Sequence, residues 1–209
     1  MRAATGNLDY VDFLAPGVLA QSVLFVAIFY GISVIWERDL GIVPKFLVSP
    51  TPRTALVLGK AISAGVRALS QAAIVYLLAL VLGVKMQWQL GAIVGVIGLV
   101  LLGAALFSTF SLIIACIVKT RERFMGIGQV LTMPLFFASN AIYPTSIMPV
   151  WLQWVAHVNP LTYEVDGLRT LMLAGGASVL GLALDFTVLA VTLAILVMIA
   201  GWLYPRIAT

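Results

Sequence analysis

The chain runs to 209 residues, of which 62% are hydrophobic and only 10% charged, with a mean hydropathy of +1.11. About a quarter of a soluble domain is charged, so this composition excludes an ordinary soluble domain and points to a membrane protein. The net charge of +4 is too small to read as a nucleic-acid footprint. The single cysteine, Cys116, excludes an internal disulfide and a thiolate metal site.

The first residues, MRAATGNLDYVDF, are polar and acidic, and they do not read as a cleavable signal peptide. A bilayer core about 30 Å thick needs roughly 20 apolar residues of helix to cross it. Five segments meet that need, over residues 14–35, 61–84, 90–118, 124–142 and 179–203. The second carries Arg67, the fourth Pro134 and the fifth Asp185. The fold class expected is all-α, a polytopic helical membrane protein.

Alternating sides place Arg38, Lys45, Arg53, Lys60, Lys119, Arg121, Arg123 and Arg206 on one face of the membrane, and Arg2, Lys85 and Arg169 on the other. Cytoplasmic loops collect Lys and Arg, so the first group is expected inside, with Arg67 snorkelling toward it. That arrangement puts the N-terminus outside and the C-terminus inside.

The longest cytoplasmic segment is residues 36–60, WERDLGIVPKFLVSPTPRTALVLGK. Leu40, Val43 and Leu47 fall at helical spacing with Phe46 beside them, so a short helix with an apolar edge is expected. Pro44 is compatible only with its first turn, and Pro50 and Pro52 end it. An apolar edge rimmed by charge suits a groove on a soluble partner, and a solvated loop obeying the charge rule is the plainer reading of the same residues.

The ER-D-x-G run after a membrane helix, then L-V-S-P, an arginine and G-K before the next helix, resembles the coupling region of ABC type-2 exporter permeases. YVDFLAPG (10–17) is similar to the entry to that family's second helix. KTRER (119–123) is similar to its second cytoplasmic turn. FFASNAIYPTSIMPVWLQWVAHVNPLTYEVDGLR (136–169) is similar to its fifth helix and the external re-entrant region beyond. The branch resembled includes daunorubicin-resistance and nodulation-factor export permeases.

The resemblance implies one permease domain over residues 1–209, with a cytoplasmic coupling segment at 36–60 and an external re-entrant region at 143–176. The family has six spans and an N-terminal elbow helix; five are read here, so a truncated chain or a misplaced start is expected. It implies docking of an ATPase subunit at Glu37, Arg38, Asp39, Leu40, Gly41, Phe46, Leu47, Ser49 and Pro50. It places an external gate at Tyr143, Pro144, Trp151, Trp154, Asn159 and Pro160. ATP and magnesium are then held by the partner, with no cofactor in this chain. Gly59-Lys60 is the only Gly-Lys pair, and position 54, where a P-loop requires glycine, is Thr54. A dimer of permeases, identical or not, in a bacterial cell membrane completes the expectation.

The remaining polar residues carry weaker signals. Trp151 and Trp154 read equally as an interfacial anchor, and Asn159-Pro160 as a turn or cap. Asp166 and Arg169 share a helix face and are expected to pair, with Glu164 close in sequence. His157 lacks companions for a metal site. Gln129, Asn140 and Asp185 are candidate pathway residues, although polar side chains in spans more often bond between helices. Gly91 and Gly95 allow close helix approach, within one subunit or across a dimer. The reading is the permease subunit of an exporter of a drug, lipid or lipid-linked glycan, not an enzyme. The rivals are an ion-coupled transporter using Asp185, and a membrane transferase using His157, Glu164 and Asp166.

Overall fold

The computed structural model describes residues 10–48, 51–118 and 120–207. Its elements are α1 (Tyr10–Asp39), α2 (Ile42–Val48), α3 (Arg53–Val81), α4 (Leu90–Ile117), α5 (Arg121–Phe137), α6 (Val150–Val158), α7 (Pro160–Met172) and α8 (Leu182–Leu203), with 3-10 turns at Thr145–Ile147 and Tyr204–Ile207. The protein is an all-α, polytopic helical membrane protein. Four helices, α1, α3, α4 and α8, are long and apolar enough to cross a bilayer.

Helix bounds differ from the expected spans where local chemistry lets a helix continue or stops it. α1 starts at Tyr10 and runs on to Asp39, with Asp12 in its first turn and Arg38 in its last, each opposing the nearer end of the helix dipole. It stops at Gly41, whose φ of +67° closes a left-handed turn that a side chain disfavours. Pro44 occupies the first turn of α2, where its missing N–H costs nothing. α3 begins at Arg53, behind an extended Pro52, so the end of the 36–60 segment is already helix.

The fourth expected span is the largest difference. α5 has 17 residues and ends at Phe137, a length of about 25 Å. Pro134 removes one rung of its ladder, and Ser139 Oγ then donates to the Phe136 carbonyl at 2.7 Å. Thr132 Oγ1 likewise donates to Gly128 O. Both hydroxyls are buried, and each donates to a carbonyl three or four residues earlier in its own segment.

α4 lies at the centre, packed by α1, α3, α7 and α8. One apolar cluster fills the outer part of the bundle around Leu24, Leu99, Phe107, Leu161 and Leu168. A second gathers the other ends, with Val34, Val43, Val57, Leu112, Phe124 and Tyr204. At the end opposite α2, the α3–α4 loop is tied to the chain at the end of α7: Gln87 N donates to Met172 O and Ala174 N to Lys85 O, each at 2.8 Å.

Three of the four glycines of α4 serve contacts inside this chain. A methyl group at Gly95 would meet Leu171, one at Gly98 would lie 3.6 Å from Phe186, and one at Gly103 would overlap the Glu164 carboxylate. Gly91 faces open space. In α1, a methyl at Gly17 would overlap the backbone of Ala141, which has no rotamer to escape into.

Replacing Gly17 with Ala is therefore expected to cost about 1–3 kcal/mol through overpacking. Gly91→Ala should stay within about 0.5 kcal/mol of the parent. Thermal unfolding of the two variants in one detergent separates them. Equal melting temperatures would contradict the close α1–Ala141 approach.

Candidate functional site

Two sets of residues stand apart from the apolar bulk, one at each end of the bundle. At one end, α2 is joined to α1 by the two-residue turn Leu40-Gly41. Its Val43 is fully buried in the second apolar cluster, while Leu40 is 71% and Val48 87% exposed, with Phe46 also exposed. α2 is thus seated on the ends of the long helices by one face and leaves apolar groups on the other.

Ion pairs brace the end of α1 that leads into α2. Lys60 Nζ on α3 meets Glu37 Oε2 on α1 at 2.5 Å. Arg121 Nη2 at the start of α5 meets Asp39 Oδ2 at 2.8 Å, and its guanidinium lies 4.8 Å from the centre of the Trp36 ring. Arg38 holds the other oxygen of Asp39 at 3.0 Å. Glu37, Arg38, Asp39, Leu40, Gly41 and Phe46 therefore form one continuous patch with α2. Of Leu47 only the backbone is described, and Ser49 and Pro50 lie outside the described residues. Lys60, Arg121 and Trp36 belong to this patch as well. Sequence spacing alone did not single them out, because their partners are 23 to 85 residues away or on another helix.

At the other end, α6 and α7 form a helical hairpin between α5 and α8. Asn159 builds its corner: its Oδ1 accepts from Leu161 N at 3.0 Å, its Nδ2 donates to Leu135 O on α5 at 2.6 Å, and Pro160 fills the first position of α7. Tyr163 Oη donates to the carbonyl of His157 at 2.7 Å, closing the corner from the other side. Trp151 and Trp154 are exposed on α6. Trp154 lines an open apolar groove of about 580 Å³ against Leu131 and Pro134 of α5. Tyr143 donates to Phe137 O at 3.0 Å, and Pro144 introduces the 3-10 turn that leads to α6.

α7 is buried on nearly every side, and it carries charge there. Asp166 and Arg169, expected to pair, turn to separate partners. Asp166 accepts from Ser178 Oγ at 2.7 Å and from the amides of Val179 and Leu180 at 3.0 Å each, fixing the loop that enters α8. Arg169 Nη2 donates to Asn140 O at 2.9 Å, and the guanidinium stacks 3.9 Å from the centre of the Phe13 ring on α1. Donors in the α8 entry loop outbid the neighbouring arginine for Asp166, because those amides have no helical partner of their own.

The three candidate pathway residues stand in different settings. Gln129 is exposed on α5, and Asn140 is buried in the loop that follows. Asp185 lies in the first turn of α8, buried against Gly167, and its carboxylate oxygens meet no hydrogen-bond partner within normal distance among the described residues. Glu164 is likewise fully buried, with neither oxygen partnered among the described residues. Its signal was present in the sequence: it shares the helix face of Leu161, Leu168 and Met172, all of them buried.

Comparison with known proteins places this geometry. The family model described as ABC-2 type transporter matches residues 2–173. The daunorubicin resistance ABC transporter permease protein DrrB1 of Streptomyces coeruleorubidus is 27% identical over 81% of this chain and 60% of its own length. The "Probable multidrug ABC transporter permease YbhR" of Escherichia coli K12 is 32% identical over 77% of this chain and 43% of its own. Nodulation protein J of Rhizobium leguminosarum bv. trifolii is 26% identical over 83% and 66%. The chain spans less than two thirds of the length of each of these relatives, yet the family match covers most of it, from the residues before α1 through α7 to Leu173: the chain belongs to the ABC-2 type transporter family.

Proposed function

We propose that this chain is the membrane-spanning permease subunit of an ATP-driven exporter. A separate ATPase subunit, which holds the ATP and magnesium, docks on α2 and its flanks. The observation that carries this reading is the construction of the cytoplasmic end. α2 buries Val43 in the apolar cluster shared by the long helices, and it turns Leu40 and Val48 outward. The pairs Glu37–Lys60 and Asp39–Arg121 hold the end of α1, from which α2 departs, to α3 and α5. A push on such an element is delivered to several membrane helices together.

The cargo in this reading is a hydrophobic or amphipathic compound, such as a drug, a lipid or a lipid-linked glycan. That class agrees with the drug-resistance and nodulation names of the relatives and with the apolar groove between α5 and α6. Two permeases enclose one path in the bacterial inner membrane, with the α6–α7 hairpin as the outer gate. The chain is a transporter subunit and not an enzyme. An ion-coupled transporter is the second reading, favoured by the buried, unpartnered Asp185.

Leu40→Glu and Val48→Glu, which put charge on exposed apolar positions, should each weaken retention of the ATPase at least about tenfold. Co-purification of the protein from its native membrane in mild detergent measures this. Full retention in both variants would move the docking site away from α2. Asp185→Asn should leave ATP-dependent transport into inverted vesicles within about twofold of the parent, since the exporter draws its energy from ATP. Loss of transport in Asp185→Asn, with no ATPase captured by the parent, would establish the ion-coupled reading instead.

A further inference from the structure

Glu164 lies deep in the molecule. It faces Gly103 of α4, where an added methyl would overlap its carboxylate. Gly103 is about 20 Å along α4 from its outer end at Leu90, counted at the rise of a helix. The side chain is fully buried, and neither oxygen has a hydrogen-bond partner among the described residues. α7, which carries it, does not span the membrane; it is the returning arm of the outer hairpin.

The groups around Glu164 leave its charge uncompensated. α4 has no ionisable side chain except Cys116, at its far cytoplasmic end. α8 offers Asp185, which faces Gly167. α1 offers Asp12, which accepts from Lys85 N, and Tyr10, which is exposed. α6 offers His157, whose Nδ1 is bonded to Gln153 O. On α7 itself, Asp166 serves the α8 entry loop and Arg169 is held by Phe13 and Asn140. An isolated carboxylate in such a place is far costlier than the neutral acid, and burial holds the Glu164 carboxyl well above the usual carboxylate range.

We propose that Glu164 is a proton-binding site of the outer hairpin, carrying its proton while α7 is seated on α4 and releasing it to entering water when α7 lifts away. The inference rests on the packing of α7 and not on the identity of the cargo or the energy source. Its sign follows from linkage. The seated form binds the proton more tightly than the hydrated form, whose glutamate titrates at about 4.3. Seating is therefore strongest in acid, and it weakens as the pH rises above that value toward the raised one. Alkalinity favours the lifted hairpin.

The test is hydrogen exchange of the 160–172 segment in the whole chain, reconstituted in lipid nanodiscs, from about pH 5 to about pH 9. Rates are corrected for the intrinsic pH dependence of amide exchange, with α3 as internal reference. The parent should lose about tenfold or more in α7 protection across that range. Glu164→Gln, neutral at every pH, should keep its protection throughout, and so should Glu164→Leu. The infrared carbonyl band of a protonated carboxylic acid should be present in the parent and in Asp185→Asn, and reduced in Glu164→Gln. A parent whose α7 protection does not change with pH overturns the proposal without any variant. So does a Glu164→Gln profile that follows the parent's. ATPase capture is read separately, so failure here leaves the exporter reading standing, and the reverse.

Discussion

Half of the molecule depends on one constraint: α7, at 13 residues, must be buried among the longer helices. A helix at membrane depth satisfies its interior backbone by itself, but its ends do not. The chain resolves this at both ends of α7. Asn159 and Pro160 close the deep end, and the Asn159 amide also anchors the corner to the Leu135 carbonyl. At the shallow end, the chain from Met172 to Ala174 bonds to the α3–α4 loop. With its backbone provided for, α7 can lie against the glycine-bearing face of α4, and its side chains then meet partners or go without.

That placement sorts the charges of α7 into three kinds. Asp166 is neutralised by donors that need an acceptor, because the residues entering α8 have no earlier helical turn to bond to. Arg169 spreads its charge over the Phe13 face and one carbonyl, tying α7 to α1. Glu164 faces Gly103, and its carboxylate has no hydrogen-bond partner among the described residues. One short helix therefore holds two charges that fasten it in place and a third that its surroundings do not compensate.

Much of this was legible in the sequence, and the rest was hidden for physical reasons. Runs of apolar residues located α1, α3, α4 and α8, because crossing a bilayer leaves a compositional signal strong enough to read one segment at a time. The short α2 with Pro44 in its first turn, and the Asn159-Pro160 cap, were readable because their chemistry is local. The early start of α3 and the early stop of α5 were not, because hydropathy measures where lipid lies and not where helix ends. The exchange of the expected Asp166–Arg169 pair for separate partners depended on where residues 140 and 178–180 come in space, which spacing does not encode. The same is true of Trp36, Arg121 and Lys60 in the patch beside α2.

The two ends are joined most directly through α1. At its inner end it carries Glu37 and Asp39, which hold α3 and α5, and the turn into α2. At its outer end Phe13 carries the Arg169 stack, and Asp12 accepts from the α3–α4 loop. Thirty residues of continuous helix span about 45 Å, so a displacement at the α2 turn reaches the α7 contacts through a single element. Pro16 lies just inside the outer turn and cannot donate to the Asp12 carbonyl. The rung it removes separates Asp12 and Phe13 from the rest of the rod. The break in the hydrogen-bond ladder of α1 thus stands between its long shaft and the residues that grip α7.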